Sequence, residues 1–301
     1  MIRTLRLSDI PRQFLSTRLK SSDLLSTYSK MSRKRSNPPN LARWTLPFIK
    51  DRIALGSFHD NQLHAMVLLK ARQRSSVWEV SHAFCTPLGY NDMEELLTTS
   101  IRMATASGAD RVFLRYENSS PADEPAKRAG FREAYTEDLM IGSIRPSKFK
   151  PLELQKLQHS DLSGVYGLHS SVAPLNMKFA IGMTFEQWFA TREDSEGYIQ
   201  EYVFTEGLVT VVWLHINWQR NSIIADAILH PEYKLSVDAL IEAAYRIIGY
   251  QKQVYWIVRS HESIIANALI EKGWRIDSSF TVLVKPVAKF VQQTSMLPIQ
   301  V

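Results

Sequence analysis

The chain of 301 residues contains a single cysteine, Cys85. No intrachain disulfide can form, a cysteine-rich metal cluster is excluded, and the usage suits a reducing compartment. Long apolar runs are missing too. Stretches such as Leu208–Leu214 fall far short of the roughly 20 residues that span a bilayer, and the opening MIRTLRLSDIPRQF has no apolar segment of the kind a secretory leader needs. A soluble, cytoplasmic protein without a membrane partner is expected. Glycine is scarce, with 12 residues, and none falls between His230 and Ile248 in HPEYKLSVDALIEAAYRII. A glycine-rich phosphate loop is therefore absent from that turn. The eight histidines show no metal-ligand spacing, so no metal is expected.

What is present is globular composition: 45% hydrophobic and 22% charged, enough to bury one or two cores. The net charge of +6 is unevenly placed. Residues 1–147 hold 22 Lys/Arg against 15 Asp/Glu, and residues 1–35 alone hold nine basic and two acidic side chains, ending in Arg33-Lys34-Arg35. Only Phe14 and Tyr28 interleave residues 12–35, which is poor stacking material for bases. A solvated helix face is the simpler reading, and nucleic acid is not an expected partner.

The sequence also repeats itself. VWEVSHAFCTP (77–87) and NSIIADAILHP (221–231) are strand-like runs that close on prolines 144 positions apart. Each leads into a helix with apolar residues at helical spacing: Met93, Leu96, Leu97, Ser100, Ile101 and Ala104 in the first, and Val237, Leu240, Ile241, Ala244, Tyr245 and Ile248 in the second. Buried-type strands follow, VFLRY (112–116) and VYWIV (254–258). Short helices then end in glycine plus an aromatic, AKRAGF (126–131) and LIEKGW (269–274), the glycine suiting a left-handed C-cap. The openings LSDI (7–10) and HSDL (159–162) also match. The order predicts an α/β chain of two consecutive domains, residues 1–147 and 148–301, each a mixed, mostly antiparallel twisted sheet flanked by helices. The join falls near the basic, proline-bounded IRPSKFKP (144–151).

This order resembles the GNAT superfamily of acyl-CoA-dependent N-acyltransferases, and the likeness covers both halves. HPEYK (230–234) leading into DALIEAAYRI, IEKGW (270–274) and KRAGF (127–131) carry it. The resemblance implies acetyl-CoA or another acyl-CoA as co-substrate, with the pyrophosphate held where backbone N–H groups and a helix N-terminus meet it. It implies Lys234, Leu235, Ser236 and Val237 as cofactor-binding residues in the second half, Lys234 standing where the family has Arg or Gln. The first half's PLGYNDMEELL has no basic residue and carries Asp92, Glu94 and Glu95, which cap and support a helix but repel phosphate. The tyrosine that many members place about four residues before the Gly-aromatic pair is Ala126 here, and Leu269 or Ile270 in the second half.

Transfer of an acyl group to an amine requires a base and a donor for the thioester oxygen. Strict alternation on 77–85 puts Val77, Glu79, Ser81 and Ala83 on one face and Trp78, Val80, His82 and Phe84 on the other. In the family this strand lines the cleft and a glutamate on it can be the base, so the resemblance implies Glu79 as the leading candidate base of the first half, with His82 as the runner-up. Asp226, aligned with His82 by the 144-residue offset, interrupts the apolar IIADAIL, and an acid there is costly unless paired or functional. His230 closes that strand. For all four the competing reading is a hydrogen-bonded structural residue. Cys85 reads as a packed thiol, and Trp213 and Trp256 as core. The function expected is acyl transfer, principally acetyl, to a small-molecule or peptide amine, with the cofactor on the second half. The alternative is a GNAT-like binding or interaction module that no longer binds acyl-CoA.

Overall fold

The computed structural model describes residues 1–6, 9, 51–60, 62–73, 76–118, 120–193, 197–219, 222–233 and 236–287. The basic segment 12–35 and two of the expected cofactor residues, Lys234 and Leu235, lie outside the described residues.

The first half contributes β1 (Ile2–Thr4), β2 (Arg52–His59), β3 (Gln62–Ala71), β4 (Val77–Cys85), α1 (Met93–Ala106), β5 (Arg111–Glu117), α2 (Asp123–Arg128) and β6 (Arg132–Ile144). The second contributes β7 (Gln155–Lys156), α3 (Leu162–Val172), α4 (Leu175–Ile181), α5 (Phe185–Thr191), β8 (Tyr198–Glu206), β9 (Val209–Gln219), β10 (Ser222–Leu229), α6 (Val237–Ile248), β11 (Gln251–Arg259), α7 (Ser263–Glu271) and β12 (Arg275–Pro286). The helices bury the stripes that their spacing predicts: α1 the six residues named above, and α6 Val237, Leu240, Ile241, Ala244 and Ile248, with Tyr245 half-buried. Gly130 and Gly273 follow α2 and α7 at φ 87° and 81°, the left-handed conformation in which a Cβ is strained.

The twelve strands among the described residues form one sheet, in the order β1-β2-β3-β4-β5-β12-β6-β11-β10-β9-β8-β7. Replacing each strand by its counterpart in the other half gives the same list read from the opposite end. A pseudo-two-fold therefore passes between β12 and β6. Those two strands have traded places: β12 pairs with β5 from Phe280↔Glu117 to Pro286↔Arg111, and β6 pairs with β11 through Arg259↔Glu137. The cores record the exchange. Leu283 of β12 packs in the first-half core with Trp78, Leu96 and Val112, while Met140 and Ile144 of β6 pack in the second-half core with Leu240 and Trp256. The sheet runs across the join expected near residue 147.

Alternation along β4 does not hold. The β3 partners step from Leu68↔His82 to Leu69↔Val80, so Ser81 is an extra residue, a β-bulge. Trp78, Val80 and Ala83 consequently face the α1 core, while Val77 and Phe84 join clusters on the other face. β10 has no such bulge, its pairing with β9 running unbroken from Ser222↔Gln219 to Leu229↔Val212. The constant 144-residue offset therefore does not carry one strand onto the other residue for residue.

Candidate functional site

Among the described residues two strand pairs are parallel, β4/β5 and β10/β11, and both part after a short contact. β4 and β5 pair from Val77↔Arg111 to Glu79↔Phe113, and β10 and β11 from Ile224↔Tyr255 to Asp226↔Ile257. Beyond those points each pair opens into a cleft.

In the first half the turn after β4 is a 3₁₀ helix, Pro87–Asp92, capped by Thr86. Gly89 lies so close to β3 that a Cβ would come within 2.2 Å of the His64 carbonyl oxygen. At the start of α1, Asp92 accepts hydrogen bonds from Ser57 Oγ (2.7 Å) and His59 Nε2 (2.6 Å). Burial works against its ionisation, but the bonds from His59 and Ser57 prevail and hold the carboxyl below its ordinary value. An incoming pyrophosphate would meet a carboxylate there. In the second half Ser236 caps α6 in an extended conformation without a side-chain bond, and the helix's first N–H groups have no intrahelical acceptor. Val237 has its side chain in the core, so only its backbone faces the turn. Asp238 in the first turn is held by Lys272 Nζ at 2.5 Å.

Beside the β10/β11 opening lies a cavity of about 130 Å³. Its floor is β6, β9, β10 and β11; its walls are α3, α4 and α5, which pack on the face of the sheet opposite α6. Asp226 faces into it, together with Tyr135, His169, His215, Trp188 and Trp213. Trp213 thus lines the cavity, its Nε1 donating to Glu201 (3.1 Å), whereas Trp256 is fully buried against Trp274. Asp226 is bound by Arg259 through two bonds, Nη1 to Oδ1 (2.9 Å) and Nη2 to Oδ2 (2.7 Å), and Arg259 Nη1 also reaches Glu262 (3.0 Å). This ion pair spans β10 and β11 at the point where they separate. Directly across from Asp226 on β9 is His215.

The arginine pairs continue across the exchanged strands. Arg115 of β5 contacts Glu137 of β6 (2.5 Å) and Glu193 (2.8 Å); Arg72 donates to Glu79 (2.8 Å), the Thr191 carbonyl (2.7 Å) and Glu193 (3.2 Å). Arg72 also lines the cavity, so a residue of the first half helps to enclose the second half's site. Burial sets the ionisation of the groups between. It pushes the Glu262 carboxyl up to about 7 despite the attraction of Arg259, raises Glu137, and raises the Tyr135 phenol to about 12. It lowers His215, and lowers His169 to about 3 and His261 to about 4, so all three imidazoles are neutral at pH 7.

Of the four sequence-predicted catalytic residues, the structure brings Glu79 and Asp226 to opposite ends of this one buried belt. Glu79 is held by Lys70 (3.2 Å) as well as Arg72. His82 does not line the cavity. Its Nδ1 lies 2.9 Å from Ser81 Oγ and its ring stacks on Phe84. His230 is a half-buried turn residue whose Nδ1 accepts from the Glu232 N–H (3.3 Å). Cys85 packs at the margin of the first core. Sequence reasoning passed over Arg72, Arg115, Glu137, Arg259, His169 and Tyr135. The signal available was a charge inside an apolar strand, as in VFLRY and YWIVR. Among the described residues no three His, Cys, Asp or Glu side chains gather as a metal site needs, and no helix is long and apolar enough to cross a membrane.

No protein-family model matches the sequence, and no curated protein matches it. Solved structures do. A tandem GNAT protein from the clavulanic acid biosynthesis pathway superposes with a TM-score of 0.52 at 11% identity, over 95% of this chain and 98% of that one. A GCN5-related N-acetyltransferase from Sphaerobacter thermophilus gives 0.51 at 14% identity, over 84% and 86%. The fold of this chain is that of a tandem GNAT protein.

Proposed function

We propose that this tandem GNAT fold is an acyl-CoA-dependent N-acyltransferase that works in its second half, acyl-CoA entering where β10 and β11 part and the amine occupying the adjoining cavity. The observation that supports this reading is the placement of that opening: it lies between the start of α6 and a cavity lined by neutral imidazoles. Past Asp226 the β10 backbone is released from β11, leaving room for an acyl-pantetheine arm. Ser236 and Val237 would offer backbone N–H groups to the pyrophosphate, and Lys234, two positions earlier in the sequence, would supply a positive charge. The amine nitrogen attacks the thioester carbon, the C–S bond breaks, the thiolate takes a proton and the ammonium gives one up. His215 is the better placed acceptor for that proton, since Asp226 is committed to Arg259. The first half serves as scaffold.

The observation on the other side is the Arg259–Asp226 pair itself, which bridges the mouth of the opening and suits a module that binds without acyl-CoA. A thermal-shift titration separates the two. Acetyl-CoA or a longer acyl-CoA at a hundredfold its Kd should add about 2.7 kcal/mol to stability, Lys234→Glu should abolish the shift, and Asp92→Ala should leave it in place. No shift at millimolar acyl-CoA would sink the acyltransferase reading and favour the interaction module.

A further inference from the structure

We propose that the cavity takes a small amine built on a ring-sized apolar body and carrying no carboxylate or phosphate. That this ligand receives an acyl group rests on the acyltransferase reading; its chemistry rests on the cavity alone. Size comes first. At about 130 Å³ the space is close to that of a cavity of ~150 Å³ lined by aliphatic and aromatic groups, which admits benzene. Its apolar lining is of the same kind: Val165, Met177, Ile181 and Ile228, with Trp188 and Trp213.

Charge decides the rest. Three arginines reach the cavity, and each is already opposed by acids of this chain. Arg72 is opposed by Glu79 and Glu193, Arg192 by Glu201 at 2.5 Å, and Arg259 by Asp226 and Glu262. A ligand carboxylate would have to displace a protein carboxylate from its arginine and then face it across a few ångströms of low-dielectric space. A ligand N–H meets the opposite situation. His169 Nδ1 is buried and has no hydrogen-bond partner among the described residues, and burial keeps the ring neutral, so that in its Nε2–H tautomer Nδ1 accepts. The cavity thus offers an unpartnered ring nitrogen, while its cations are already paired.

The test is isothermal titration calorimetry of the full chain with 2-phenylethylamine and L-phenylalanine, which differ by one carboxylate, each with and without saturating coenzyme A. The amine should bind at one site per chain and at least tenfold more tightly than the amino acid. Ile181→Trp, which fills the space, should weaken the amine at least tenfold. Glu201→Gln, nearly isosteric, should release Arg192 and narrow the preference by allowing phenylalanine in. Equal or tighter binding of phenylalanine to the unaltered chain overturns the proposal. So does a failure of the amine to bind while acetyl-CoA stabilises the protein, and that outcome leaves the acyltransferase reading standing. Amine binding without any acyl-CoA effect upholds the ligand class and removes the acyltransferase reading.

Discussion

Replacing Asp226 by Leu tests whether this acid is a structural partner of Arg259 or a free catalytic carboxylate. Asp226 is 3% exposed and Arg259 7%, and two bonds join them. Removing one member of a buried pair costs about 3–5 kcal/mol, because the remaining charge is left uncompensated. Here the lower end applies. Glu262 also contacts Arg259, and the proximity of Asp226 is one of the forces that raises its pKa. Without Asp226, Glu262 ionises more readily and neutralises the guanidinium in part. A loss of about 3 kcal/mol follows. At about 2.1 cal/mol/K of unfolding entropy per residue, that lowers the Tm of a 301-residue chain by roughly 5 °C. Arg259→Met, which leaves Asp226 and Glu262 facing each other without a cation, should cost at least as much. The double replacement should cost about as much as either single one, since it removes the uncompensated charge of each but still leaves Glu262 without Arg259. Urea unfolding of the four proteins gives the coupling energy, expected near 3 kcal/mol. Additive single effects, agreeing within about 0.5 kcal/mol, would refute the pairing argument. So would a stable Asp226→Leu variant that has lost only acyl transfer, which is how a free base behaves.

Two further expectations concern acid stability and the join between the halves. Unfolded histidines take up protons below about pH 6.5, whereas folded His169 and His261 resist until about 3 and 4, so the stability present above pH 6.5 is lost as the pH falls toward 4. His169→Gln should flatten the urea midpoint over that window, and Glu262→Gln should steepen the loss, because a carboxyl raised to about 7 stabilises the fold in the opposite sense, at low pH. A midpoint profile untouched by His169→Gln would count against its burial as a neutral ring. Gly142 of β6 lies against Trp274, where a Cβ would sit 2.3 Å from the indole. Gly142→Ala should therefore cost about 1–3 kcal/mol by overpacking, with Trp274→Leu relieving part of it; an unchanged denaturation curve for Gly142→Ala would remove that contact from the account.

The duplicated order of strands and helices was legible because it rests on local signals. Apolar spacing marks α1 and α6, and a glycine that must adopt positive φ marks the ends of α2 and α7. Strand exchange has no local signal. β6 and β12 are both long strands that follow a Gly-aromatic pair, and nothing in either sequence says which β5-like neighbour it will join. The bulge at Ser81 is equally silent, since it adds a residue without altering composition, and it is enough to defeat an alternation argument two residues further on. The site was half legible. Asp226 stood out as an acid in an apolar run, but its partner Arg259 is 33 positions away, and Arg72 reaches Thr191 and Glu193 only because the sheet brings the halves together. A charge inside an apolar strand can be picked out singly, but the distant partner that gives it meaning cannot.

The crossing of β6 and β12 also governs how this polypeptide can be handled. A fragment stopping after β6 would carry that strand without β11 or β12 beside it, and β5 would show a bare hydrogen-bonding edge until residues 275–286 were synthesised. The complementary fragment would leave β11 bare in the same way. Bisecting the gene at its midpoint would yield two adhesive pieces in place of two working modules. Mixing such pieces, or allowing two full-length chains to lend each other β12, are the routes by which this architecture would dimerise by mistake.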